Sequence, residues 1–156
     1  MRAARISSYG DPSVIRIEEL DPPVPHAGQV LVEVAATSMH PTETALRSGL
    51  LAALMPVTLP LTLGWDVAGT VDGRPVVGML DAGAAAGYAV VPADRLVTAP
   101  AGVPLADAAA LPLAGMTAWQ AVAEQARVRA GKRVLVNGAG GGIGSPCRWR
   151  GIWART

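Results

Sequence analysis

The chain has 156 residues, 51% of them hydrophobic, a mean hydropathy of +0.34 and a formal net charge of +1. That is long enough for a real core and too apolar for a disordered chain, and a charge so near zero makes no case for nucleic acid. The charge is uneven: residues 146–156 hold Arg148, Arg150 and Arg155 and no acid, so residues 1–145 carry 10 basic and 12 acidic side chains.

From the amino end, residues 2–7 read as a strand, Tyr9-Gly-Asp-Pro-Ser13 as a turn, and residues 14–20 as a second strand in which Ile15 and Ile17 alternate with Arg16 and Glu18. A proline-stiffened connection, 21–28, leads to the clearest strand, 29–38, with Val30, Val32, Val34 and Ala36 expected on one face. Residues 40–49 predict a short helix, with Pro41 suited to its first turn and Gly49 to its stop. The apolar stretch 50–63 is cut by Pro56 and Pro60; it reads as loop and is too short to span a bilayer. Short strands are expected at 66–71, 75–80, 86–91 and 96–99, a spacing that suggests a small barrel or sandwich. Residues 104–110 read as an alanine-rich turn of helix, and 113–126 as the best helix in the chain, with Leu113, Met116, Gln120 and Ala123 on one face.

Gly131 then breaks the chain before Val134, Leu135 and Val136, a short apolar run of the kind that forms a strand buried on both faces of a parallel sheet. Asn137 ends it, and Gly138, Gly141 and Gly144 recur every third residue. Glycine lets the backbone turn sharply and bring its N–H groups close to a bulky anion, and a helix start would favour a pyrophosphate there. The spacing is G-x-x-G-x-x-G rather than G-x-G-x-x-G, so a purely structural glycine loop is an equal reading of this motif alone. An acidic residue for a ribose hydroxyl is expected about 20 residues beyond such a motif; the sequence runs 12 residues past Gly144, so the choice between NAD and NADP is not written in it.

The one cysteine, Cys147, allows no disulfide within the chain and no cysteine-based zinc cluster. Residues 1–9 lack the apolar core of a signal peptide, and the expectation is a soluble cytoplasmic protein with no membrane partner. Trp149 and Trp153 alternate with arginines, a pattern able to stack on nucleic acid, but eleven residues are too few to support that and no nucleic-acid partner is expected.

The order of β runs first and one βα unit last suggests two domains. Six pieces in sequence then carry a resemblance: residues 1–10, Ser38-Met-His-Pro-Thr-Glu-Thr-Ala-Leu-Arg-Ser-Gly49, Leu63-Gly-Trp-Asp-Val-Ala-Gly-Thr-Val71, Gly87-Tyr-Ala-Val-Val-Pro-Ala-Asp94, Ala110-Leu-Pro-Leu-Ala-Gly-Met-Thr-Ala-Trp119, and the glycine loop. Over residues 1–145 the chain resembles the medium-chain dehydrogenase/reductase superfamily, in its zinc-free quinone oxidoreductase-like branch. The resemblance implies a mixed α/β fold: a GroES-like β-barrel substrate domain over 1–112, the first βα unit of an incomplete Rossmann domain over 113–145, and an aberrant tail over 146–156.

The resemblance also implies chemistry. A hydride would pass from NADP or NAD, with NADPH favoured, to a quinone or an α,β-unsaturated carbonyl. Thr117 would lie beside the nicotinamide or its phosphates, and Asn137, Gly138, Gly141, Ile143 and Gly144 around the pyrophosphate. His40 stands where relatives commonly have asparagine and Glu43 where they have aspartate. His40 is the candidate proton donor or hydrogen-bond partner of a substrate carbonyl; the plainer reading is a histidine that caps the helix at Pro41. Trp65 and Tyr88 are candidates for the substrate wall, with core packing as the alternative. Zinc-bearing relatives would place ligands at His40, Trp65 and Leu113, and the last two cannot bind zinc, so no metal is expected.

The substrate is expected to be a small molecule. The family's homodimer would need the part of the nucleotide domain that is missing. Residues 146–156 depart from the pattern as a shifted reading frame would, and the expectation is a truncated or frameshifted chain with weak or no NAD(P)H binding. The strand at 134–136 would lack a partner and the helix at 113–126 a sheet to cover, which favours aggregation or a partner chain. Two other readings stand beside the enzyme: a non-catalytic GroES-like fragment, and a complete small binding module with Trp149 and Trp153 in its core.

Overall fold

The structure, a computed structural model, describes residues 1–138, 140 and 141. The chain divides into a unit comprising Met1–Ala110 and a second unit that begins at Leu111.

The first unit is built on two antiparallel sheets. In the smaller, β1 (Arg2–Ile6) lies between β2 (Ile15–Glu19) and β4 (Leu61–Thr62). The stretch 50–63, expected to be all loop, thus ends in two paired residues, Leu61 opposite Ile6 and Thr62 opposite Arg5. The larger sheet contains β3 (Gln29–Ala36), β5 (Asp66–Val71), β6 (Arg74–Met79), β7 (Tyr88–Pro92) and β8 (Leu96–Thr98), in the order β7-β3-β5-β6-β8. β5 and β6 are joined by Asp72 and Gly73 alone, at φ 49° and 74°. Two left-handed residues make the tight turn whose twist matches the flanking strands.

The alternation of β-branched residues is realised as a core of Val32, Val67, Leu80, Ala84, Ala89 and Val91, with Val30 and Val34 against it. Ala36 departs from the expected face. The register slips between Val34 and Ala36, opposite Gly69 and Ala68, so β3 carries an extra residue, Ala35. A bulge turns the residues after it to the other face. Ala36 therefore packs with a second cluster of Ala68, Val77, Ala99, Ala108 and Ala109, two of whose members lie on and just after the short helix α2 (Leu105–Ala108). α1 (Pro41–Ser48) has Pro41 in its first turn and ends at Gly49, φ 87°. Buried Arg47 donates to the Gly10 carbonyl and fastens the far end of α1 to the residues after β1.

In the second unit, the expected single helix over 113–126 is an α-helix, α3 (Pro112–Trp119), continued by a π-helical segment, Gln120–Gln125. The wider π turns break the 3.6-residue register. Leu113 and Ala123 are half-buried, whereas Met116 and Gln120, expected on the same face, are exposed. The strand expected at 134–136 does not form: among the described residues these pair with no ladder, and Leu135 is 93% exposed. A strand's hydrogen bonds come from its neighbours, and an apolar β-branched run without one has nothing to bond to.

Candidate functional site

The first unit gathers polar side chains where β3 runs into α1 and where β5 begins. His40 is the N-cap residue of α1, with extended backbone (φ −116°, ψ 152°). Its ring does not lie idle against the helix end. Nε2 lies 2.8 Å from Oδ2 of Asp66 and 2.8 Å from Oγ of Ser38, and Ser38 Oγ donates to the same Asp66 oxygen at 2.5 Å. Asp66 is fully buried and the His40 side chain is 15% exposed, so the carboxylate is closed off while the imidazole keeps an open edge.

Neighbouring bonds hold this triangle. Thr37 Oγ1 donates to the Asp66 carbonyl at 2.6 Å. Glu43, also buried, accepts the His40 N–H on Oε2 at 3.2 Å and the Gly64 N–H on Oε1 at 3.0 Å. The carboxylate thus returns to the N-cap, as in a capping box, and also ties α1 to the segment before β5. Burial raises the Glu43 pKa above its ordinary value, and Asp66's charge adds to that; the Gly64 and His40 N–H bonds and the charge of His40 oppose it.

Residues 63–66 are laced down by backbone bonds: Ala85 N–H to the Leu63 carbonyl, Ala84 N–H to Gly64, and Leu80 N–H to Trp65. Gly64 is required here. At φ 94° a Cβ would sit 2.5 Å from the Ala85 nitrogen and 2.9 Å from the Ala84 carbonyl carbon.

His40 thus caps α1 by position, and its imidazole lies on a buried carboxylate. Trp65, next to Asp66, is half-buried. Tyr88 lies elsewhere, in a hollow of about 260 Å³ lined also by Met1, Leu80 and Ala86 but by neither His40 nor Trp65. Sequence reasoning passed over Ser38 and Asp66 as site residues. The available signal was an acid opening the strand Asp-Val-Ala-Gly, since an acidic residue is seldom fully buried without a partner.

In the second unit, Thr117 Oγ1 donates to the Leu113 carbonyl at 2.7 Å, which leaves its oxygen lone pairs to accept. Asn137 and Gly138 are exposed, and the Gly141 N–H closes a turn onto the Gly138 carbonyl at 3.0 Å. Gly138 has φ 74°, and a Cβ there or on Gly140 would meet nothing within 4 Å. Packing does not demand these two glycines; the positive φ of Gly138 favours glycine on conformation alone. Ile143 and Gly144 lie outside the described residues, as do Cys147, Trp149 and Trp153. Among the described residues no three His, Cys, Asp or Glu side chains converge to hold a metal, and no helix is long and apolar enough to cross a membrane.

This architecture and the order of its parts are similar to those of medium-chain dehydrogenase/reductases, and the alcohol dehydrogenase GroES-like domain model matches residues 26–75. Over 92% of its length the chain is similar to quinone oxidoreductases of that superfamily. It is 35% identical to the quinone oxidoreductase of Mus musculus and 33% to that of Homo sapiens, in each case over 92% of this chain and 47% of the relative. Among solved structures it matches the Escherichia coli quinone oxidoreductase complexed with NADPH (TM-score 0.88, 26% identity, 98% of this chain and 50% of that one). It also matches the Thermus thermophilus enzyme, solved alone and with NADPH (TM-score 0.84, 30% identity, 93% and 48%). The chain spans about half the length of the curated relatives it matches.

Proposed function

We propose that this chain carries the substrate side of a cytoplasmic, zinc-free oxidoreductase that uses NAD(P)H, with NADPH favoured, to reduce a quinone or an α,β-unsaturated carbonyl. The observation that carries the reading is the His40 imidazole held on the buried Asp66 carboxylate, in a chain related over 92% of its length to quinone oxidoreductases. Hydride addition leaves negative charge on the substrate oxygen, and a proton must reach it. His40 is the group placed to supply that proton or to hydrogen-bond the oxygen, with Asp66 as counter-charge. Trp65, the residue before Asp66, is assigned to the substrate wall; Tyr88, in a separate hollow, is assigned to packing. The bound nicotinamide would supply the hydride. Thr117 would lie beside it, with Asn137, Gly138, Gly141, Ile143 and Gly144 around its pyrophosphate. Trp65 and Leu113 offer no metal-donor atoms at the positions where zinc-bearing relatives would place ligands.

A second reading, a non-catalytic GroES-like unit that binds a partner, is favoured by the apolar run at 134–136, which pairs with no strand among the described residues and leaves Leu135 exposed. One set of measurements separates the two: calorimetric titration of the chain with NADPH and with NADH, then NADPH oxidation in the presence of a 1,2- or 1,4-quinone. Micromolar affinity with quinone-dependent turnover supports the oxidoreductase. No binding and no turnover from a chain whose circular dichroism shows the β-rich unit folded would overturn it in favour of the second reading.

A further inference from the structure

We propose that Asp66 is a positioning residue for His40, fixing the imidazole in the tautomer with its hydrogen on Nε2 so that every proton His40 gains or gives up is carried at Nδ1. The tautomer assignment stands on the geometry; its use in catalysis rests on the functional reading above.

The groups around Nε2 leave one consistent arrangement. A carboxylate only accepts hydrogen bonds. Ser38 Oγ at 2.5 Å and His40 Nε2 at 2.8 Å both lie within bonding distance of Asp66 Oδ2, so both must donate. Ser38 has a single hydroxyl hydrogen. Once that is directed at Asp66, the serine turns lone pairs toward Nε2, 2.8 Å away. Both neighbours of Nε2 thus require an N–H there. The Glu43 carboxylate, on the first turn of α1, is engaged by the backbone N–H groups of His40 and Gly64. With Nε2–H held, the neutral ring keeps its lone pair on Nδ1. Protonation at Nδ1 gives an imidazolium paired with Asp66, and release from Nδ1 restores the starting tautomer. Ring hydrogens are assigned from such networks, which makes the assignment one for a direct measurement.

Two histidines make that measurement clean, since exposed His26 serves as an internal control. Long-range ¹H–¹⁵N correlation spectra of the full chain, taken with both rings neutral, report which nitrogen carries the hydrogen. The expected result is a single Nε2–H form for His40. Asp66→Ala removes the acceptor and frees the Ser38 hydroxyl to donate to Nε2, so the Nδ1–H form should appear. Ser38→Ala should leave Nε2–H in place, because Asp66 alone demands it. An Nδ1–H form or an averaged mixture in the parent chain would overturn the proposal without recourse to any variant, as would an Asp66→Ala spectrum matching the parent. Quinone reduction left unchanged by His40→Gln would sink the catalytic reading alone, with the tautomer assignment intact.

Discussion

Oε1 of Glu43 accepts the backbone N–H of Gly64 at 3.0 Å, joining the first turn of α1 to the segment that leads into Asp66. This carboxylate is buried, and burial is the largest cause of its raised pKa. A group whose folded pKa lies above its unfolded value stabilises the fold most when protonated. That contribution is fully present below the ordinary value of 4.5 and is lost as pH rises through the higher folded value. Glu43→Gln has no such titration. Its carbonyl can keep the Gly64 bond, but its amide nitrogen cannot accept the His40 N–H. The variant should be less stable at about pH 4 by about 1 kcal/mol, and the gap should narrow toward about pH 7. Urea denaturation of both proteins at the two pH values checks this; a gap that widens with pH would contradict it.

Asp66→Ala removes the acceptor shared by Ser38 and His40. Donors left unpaired in a buried setting are costly, and the expected loss is about 3 kcal/mol in chemical denaturation. Asp66→Asn keeps one acceptor oxygen and should lose less.

Gly64 and Gly73 both have positive φ, but a Cβ on Gly73 would meet nothing within 4 Å, whereas on Gly64 it would strike the backbone of Ala84 and Ala85. Gly73→Ala should therefore show only the left-handed strain, about 1 kcal/mol. Gly64→Ala should cost distinctly more, and should also disturb the neighbouring Glu43 contact. Thermal denaturation of the pair tests the ordering.

If His40 delivers the proton, His40→Gln should lower kcat for quinone or enone reduction by about 100-fold or more, in line with general acid catalysis, with little change in KM for NAD(P)H. Steady-state kinetics with both substrates varied would show the split; a KM effect with kcat intact would point to binding rather than proton transfer.

Much of the fold follows from local chemistry legible in the chain. Proline at the first turn and glycine at the stop bound α1, alternating valines mark β3, and Asp72-Gly73 can only be a tight turn. Local signals also misled. Val134, Leu135 and Val136 have every property of a buried strand except a neighbour, and nothing within the run can supply one. The single helix expected over 113–126 changes to wider π turns after Trp119, and no residue between Gln120 and Gln125 marks the change. The site itself was half legible: His40 and Glu43 stood out by type and place, while Ser38 and Asp66 did not.

What the sequence determined alone is the set of elements and the identity of the groups able to carry chemistry, because capping, turn and alternation preferences act within a few residues. What the tertiary structure decided is which of those groups meet. An extra residue at Ala35 turns the end of β3, and the pairing of β3 with β5 brings His40 against a carboxylate 26 residues further along. That contact depends on register and burial, which belong to the assembled sheet and to no single segment of it.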